Sequence, residues 1–136
     1  MRVVFPDGTA VRASGLAARG AEPCDFGLYL DARWAPTWPA VVVEWEDFGV
    51  PRGPDAAAAA IREAFARARA GEVVEVGCAG GLGRTGTALA CMAILAGVLP
   101  DRAVAWVREH YDERAVETEA QEDWPLWFAE HARPGP

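Results

Sequence analysis

Two short apolar runs, Arg2–Phe5 and Thr9–Ala13, flank the turn tripeptide Pro6-Asp7-Gly8, a pattern that predicts a β-hairpin. Phe26–Leu30 (FGLYL) reads as a further strand. Ala40–Trp45 (AVVVEW) reads as a buried one, being continuously apolar and β-branched. Asp31–Pro39 between them, with two prolines and two tryptophans, reads as a loop, and Glu46–Pro54 (EDFGVPRGP) breaks all periodicity. Asp55–Ala70 predicts a helix: alanine dominates, Ile61, Phe65 and Ala68 share a face, and Gly71 stops it. Glu72–Val76 predicts a strand. Thr87–Ala96 predicts a helix that is apolar all round and therefore buried. Asp101–Tyr111 predicts another, with Val104, Val107 and Tyr111 on one side and Asp101 as N-cap. A last helical segment begins near Thr118, carries Trp124, Trp127 and Phe128, and is expected to be interrupted at Pro125.

Strand, helix, strand, loop, helix in that order predicts right-handed parallel crossovers. The expected architecture is α/β: one layered domain over residues 1–136, a central, mostly parallel sheet flanked by helices, and an N-terminal β hairpin. Val41–Trp45 and Val73–Val76 would lie in the middle of the sheet. Only the Arg-Pro-Gly-Pro tail, Arg133–Pro136, stands outside this pattern.

Composition narrows the partners. Twenty acidic against 13 basic residues give a net charge of −7, a field that argues against nucleic acid and against an anionic membrane surface. Every basic side chain other than the two histidines is Arg; with abundant Ala, Gly and Pro this points to a GC-rich, bacterial genome. Three cysteines, Cys24, Cys78 and Cys91, have neither metal-ligand spacing nor a disulfide framework, which suggests a reducing, cytoplasmic setting. The N-terminal apolar run is broken by Pro6 and Asp7 and is not expected to be a signal peptide. The longest apolar run, Ala88–Ala96, is far shorter than a membrane span.

The chemistry concentrates in Gly77–Thr87 (GCAGGLGRTGT). A glycine-rich turn between a strand and a helix N-terminus offers backbone N–H groups and a positive helix end to an anion. Gly81, Gly83 and Gly86 match a dinucleotide fingerprint, but no second strand with an acidic end follows where one is needed. An ATP-type phosphate loop fails too, because Cys78 and Arg84 stand where Gly and Lys belong. The residues these readings leave unexplained are Cys78 and Arg84, in a C-x5-R arrangement. A forked guanidinium binds phosphate oxygens in pairs, and a sulfur beside it and beside a helix end is favoured as a thiolate poised for in-line attack.

Cys78–Thr87 resembles the signature loop of cysteine-dependent protein tyrosine and dual-specificity phosphatases. Two further segments resemble that family. Trp45–Pro51 (WEDFGVP) is similar to its acid loop, W-P-D-x-G-x-P. Ala115–Gln121 (AVETEAQ) is similar to the A-V-E-T-x-x-Q of its dual-specificity branch. The resemblance spans Val41 to Phe128. It implies Cys78 as nucleophile through a phosphocysteine, Arg84 as phosphoryl and transition-state ligand, and Asp47 as general acid and then base. Glu44 and Glu46 are rival acids. Thr85 would donate to the sulfur or act as an N-cap. Gln121 would position water or form a capping box with Thr118. Ala79, Gly80, Gly81, Leu82 and Gly83, together with Arg84, would bind the phosphate, glycine letting the backbone curl around it.

His110 and His131 are expected on helix surfaces, and Trp34 or Trp38 at the pocket wall. No metal or cofactor is implied. The expected substrate is a phosphorylated protein or a small aryl phosphate, acted on by a compact, bacterial-type monomer; the absence of Lys argues against highly phosphorylated inositol lipids. The chain departs from the family at Gly77, where His is usual, and at Glu46, where Pro is usual. These departures keep open a phosphate- or phosphopeptide-binding module with weak or no catalysis. Cys24 is the better placed of the two remaining thiols to capture an oxidised Cys78.

Overall fold

The computed structural model describes residues 1–131, so the Arg133–Pro136 tail lies outside it. The elements are β1 (Arg2–Val4), β2 (Ala10–Gly15), β3 (Phe26–Tyr29), β4 (Ala40–Val42), α1 (Pro54–Arg69), β5 (Val74–Cys78), α2 (Gly83–Leu95), α3 (Ala103–His110) and α4 (Glu119–His131). The five strands form one sheet in the order β1-β2-β5-β3-β4. Only β1 and β2 are antiparallel, paired Val3 to Val11 as the hairpin predicts; the other three pairings are parallel. The sheet is therefore mixed, with four α-helices around it, and β5 lies at its centre.

Side chains alternate along a strand, so each strand splits its residues between two faces. Val11, Ala13, Leu28, Val74, Val76 and Cys78 join the hydrophobic core with Ile61, Phe65, Leu89, Met92, Val107 and Phe128 of the helices. The other face carries Arg12, Ser14, Tyr29 and Glu75, hydrogen-bonded to one another and covered in part by Trp38. Helix α2 packs against β5, α1, α3 and α4, and all of Gly83–Ala93 is buried. That explains why its sequence is apolar all round.

Several elements differ from expectation. β4 is three residues long, lies at the sheet edge and leaves Val42 46% exposed; it is not a buried central strand. The chain leaves the sheet after Val43 and forms a loop closed by a bridge between Trp45 and Pro51. β5 begins at Val74, with Val73 exposed, and runs on to Cys78. α2 begins at Gly83 rather than Thr87: tertiary contacts override the poor helix propensity of Gly83 and Gly86, whose backbones approach Glu117 and Ala115. Asp101 caps nothing, because Pro100 opens a 3-10 turn before it and α3 starts only at Ala103. Pro125 lies inside α4 without ending it.

Phe65 is 2% exposed and meets Phe5 edge to face, with ring centroids 5.5 Å apart. Phe65→Ala should lower the unfolding free energy by about 3–5 kcal/mol. Urea denaturation would show this as a lower midpoint with little change in slope.

Candidate active site

A loop can aim its amides at an anion only if its carbonyls turn outward and find other partners. From Cys78 to Gly83, five carbonyls do. The Cys78 carbonyl accepts from Trp34 Nε1 (3.2 Å), that of Ala79 from the Leu16 amide (3.0 Å), and that of Gly81 from the Tyr111 hydroxyl. The Leu82 carbonyl accepts from the Gly86 and Val116 amides (2.9 and 3.2 Å), and that of Gly83 from Thr87 Oγ1 (2.7 Å). Gly81 has φ +75°, the left-handed region glycine enters without penalty, and this reverses the chain over the sulfur. Its amide donates to Cys78 Sγ at 3.2 Å. Cys78 is 2% exposed, at the C-terminal end of the central strand, where open α/β sheets bind ligands.

Arg84, 3% exposed, turns inward from the first turn of α2. Nη1 donates to the carbonyls of Leu30 (2.8 Å) and Trp45 (2.9 Å), and Nη2 to Asp31 Oδ2 (3.0 Å). Two buried side-chain polar atoms have no hydrogen-bond partner among the described residues: Arg84 Nε and Thr85 Oγ1. Unpaired buried donors are rare and call for an explanation. Here both lie in the first turn of α2, at the end of the glycine loop. The Thr85 hydroxyl reaches neither the Cys78 sulfur nor a capping position; the N-cap residue of α2 is Leu82.

Asp47 lies beside the guanidinium, Oδ1 3.6 Å from Arg84 Nη2, and is half exposed; Oδ1 also accepts the Phe48 amide (3.1 Å). Glu46 turns away to Arg52 (2.7 Å), which separates it from its neighbour as an acid. The Trp45–Pro51 loop is held from behind. The Gly49 carbonyl accepts from Trp45 Nε1 (2.6 Å) and Gln121 Nε2 (3.0 Å), and the Phe48 carbonyl from Thr118 Oγ1 (3.1 Å). Phe48 has φ +62°, uncommon for a non-glycine residue, and these ties secure it. Gln121, fully buried, also accepts the Glu117 amide (2.9 Å), and its own amide bonds Thr118 Oγ1 (3.2 Å), one half of a capping box. Gln121 thus braces the Trp45–Pro51 loop.

Sequence reasoning missed Asp31, Tyr111 and the anchoring role of Trp34. Asp31 Oδ2 accepts from both Arg33 Nη2 (2.8 Å) and Arg84 Nη2 (3.0 Å). Hydrogen bonds from the Arg33 guanidinium, then from its backbone amide and Arg84, hold the Asp31 carboxyl well below the usual carboxylate range, outweighing burial. An acid following the apolar run Phe26–Leu30, at a strand's C-terminal end, was the available signal. Burial, reinforced by Cys78 and Asp112, pushes the Tyr111 hydroxyl up to about 12, so it stays protonated and donating. Trp34, 4% exposed, packs against Gly77 beneath the loop and also lines a separate small cleft together with Arg19 and Trp38. His110 and His131 are exposed, each bonded within its own helix. Cys24 packs on the polar face of the sheet against Phe26 and Tyr29, with β5 between it and the core face that Cys78 occupies; it is not placed to capture Cys78.

No family model matches the chain. It is 35% identical to an uncharacterized protein of Methanocaldococcus jannaschii, MJ0215, over 79% of this chain and 72% of that one. A second from the same archaeon, MJECL20, is 39% identical over 74% of each. Among solved structures it is similar to a mouse putative dual specificity phosphatase complexed with zinc tungstate (TM-score 0.73, 16% identity, 95% of this chain and 86% of that one). It is also similar to human DUSP28 (TM-score 0.66, 17% identity, 96% of each). Among the described residues no helix is long and apolar enough to cross a membrane.

The depressed Asp31 carboxyl stabilises the fold fully above its unfolded value of about 3.9, and that contribution is lost as pH falls towards the folded value. Asp31→Asn, which leaves the Arg84 charge without its buried counter-ion, should cost about 3–5 kcal/mol near neutrality. Melts at stepped pH should show the gap to wild type closing below about pH 4.

Proposed function

We propose that this chain, which has the fold of the cysteine-dependent tyrosine and dual-specificity phosphatases and a loop resembling their signature, is a member of that family and hydrolyses phosphate monoesters of proteins through a phosphocysteine. The observation that carries this reading is the pair of buried side-chain donors without a partner, Arg84 Nε and Thr85 Oγ1, in the first turn of α2, at the end of a loop whose Gly81 amide donates to the Cys78 sulfur. A tetrahedral oxyanion would satisfy them, and charge-assisted bonds from a pre-set guanidinium favour the trigonal transition state most.

The Cys78 sulfur, as thiolate, attacks phosphorus in line. The bond from phosphorus to the ester oxygen breaks, its electron pair goes to that oxygen, and Asp47 supplies the proton. A water then attacks phosphorus and gives a proton to the Asp47 carboxylate. The sulfur–phosphorus bond breaks with its pair returning to sulfur, and inorganic phosphate is released. Gln121 serves by holding Gly49, and with it Asp47, over the site, its Nε2 donating to the Gly49 carbonyl while its Oε1 accepts from the Glu117 amide. Residues 79–83 supply amides, and Arg84 spans two phosphoryl oxygens. A phosphotyrosine or phosphoserine/threonine protein remains the substrate class. The guanidinium of Arg33, bonded to Asp31, adds a single charge and does not make a cradle for a polyphosphorylated lipid.

The test is hydrolysis of p-nitrophenyl phosphate and a phosphotyrosine peptide by wild type, Cys78→Ser and Asp47→Ala. Wild type should turn over both, in the presence of chelator, and Cys78→Ser neither. Asp47→Ala should lose about 10²–10⁴-fold on the peptide and much less on the nitrophenyl ester, whose leaving oxygen needs little protonation. Binding of phosphate without turnover by wild type would favour a binding module instead.

A further inference from the structure

The position before Cys78 carries no side chain, and the space beside it is filled from another element. A Cβ on Gly77 would stand 2.5 Å from Cζ2 and 2.9 Å from Cε2 of Trp34, inside the indole. Trp34 is 4% exposed and lies on the Tyr29 ring, with centroids 4.2 Å apart and planes 9° from parallel. Tyr29 is fixed in turn: its hydroxyl donates to Glu75 Oε1 (2.7 Å) and accepts from Trp38 Nε1 (2.8 Å). The other Glu75 oxygen is held by Arg12 Nε and Ser14 Oγ, each at 2.9 Å. A rigid stack rooted in a satisfied polar network thus delivers one indole N–H to the Cys78 carbonyl.

A trans peptide is planar, so its carbonyl and its N–H point in opposite directions. Holding the Cys78 carbonyl from the Trp34 side therefore holds the Ala79 N–H on the other. Ala79 is the first residue of the loop, and its own carbonyl is tied to the Leu16 amide. We propose that Trp34 is a positioning residue: its indole N–H, admitted by the missing side chain at Gly77, turns the Cys78–Ala79 peptide so that the Ala79 amide faces the bound phosphoryl group. An indole at 34 and a side chain at 77 exclude one another, so the two positions act as one unit. The inference rests on the phosphatase reading only in taking the anion to be a phosphoryl group.

The experiment is titration of isotope-labelled protein with inorganic phosphate, followed by amide resonances. In wild type the Ala79 amide proton should move downfield on binding, and the Trp34 indole N–H should exchange slowly with solvent. Trp34→Phe keeps a ring on Tyr29 and removes only the donor. It should abolish or at least halve the Ala79 displacement, leave those of Gly81 and Gly83, and weaken phosphate binding about three- to tenfold, the scale of one hydrogen bond. Gly77→Ala, which pushes the indole aside, should do the same, and the double variant no worse than the worse single one, since both remove one interaction. Overturning results are an Ala79 displacement and affinity unchanged in Trp34→Phe, a uniform loss across all loop amides, additive losses in the double variant, or, in wild type alone, fast exchange of the Trp34 indole. Phosphate binding is read without turnover, so Trp34-dependent binding by a protein that hydrolyses nothing would keep this inference and overturn the preceding one.

Discussion

Everything at this site depends on how one buried guanidinium is held. Burying a cation is costly unless it is paired and hydrogen-bonded. Arg84 meets that cost with the Leu30 and Trp45 carbonyls on Nη1 and the Asp31 carboxylate on Nη2. Those partners come from the end of β3 and from the loop after β4. The same bonds therefore fix the side chain and join three otherwise separate segments around Cys78. They leave Nε free, which is why the arrangement suits an anion rather than a closed structural ion pair.

The backbone obeys a matching constraint. Inward amides require outward carbonyls, and the fold recruits partners for them from distant elements: Leu16 after β2, Trp34 after β3, Tyr111 after α3, Val116 before α4. Arg108 in turn secures the last of these, donating to the Ala115 and Val116 carbonyls at 2.9 and 2.8 Å. The Ala115–Gln121 segment thereby serves two loops at once, backing the glycine loop through Val116 and the Trp45–Pro51 loop through Thr118 and Gln121. A coupling of that kind keeps the sulfur and Asp47 in register.

How much of this could be read beforehand follows from which interactions are local. The hairpin, α1 and the parallel order of the sheet are written in short-range periodicity and turn residues, and they appear as expected. The C-x5-R loop and the Trp45–Pro51 segment were legible as one site because their residue types recur at fixed spacing, and the structure brings Asp47 to within 3.6 Å of the Arg84 guanidinium. β4 misled because a β-branched run looks the same at an edge as in the centre. The start of α2 was hidden because its glycines are held by Glu117 and Ala115, contacts that no local pattern contains. The roles of Asp31, Tyr111 and Trp34 escaped for the same reason: each acts through a partner dozens of residues away. Gly77 was visible only as a missing side chain until the indole that fills its place came into view.

The account's central claim is a sulfur–phosphorus bond formed on Cys78 beneath that guanidinium. The most direct measurement is to mix the protein with a phosphotyrosine peptide, quench within the first turnover under conditions that preserve thiophosphate, and map the label by mass spectrometry. Phosphate carried on the Cys78 peptide, and absent when Cys78 is replaced by Ser, is the predicted result. Phosphate release with Cys78 never modified, or a label on any other residue, would contradict it.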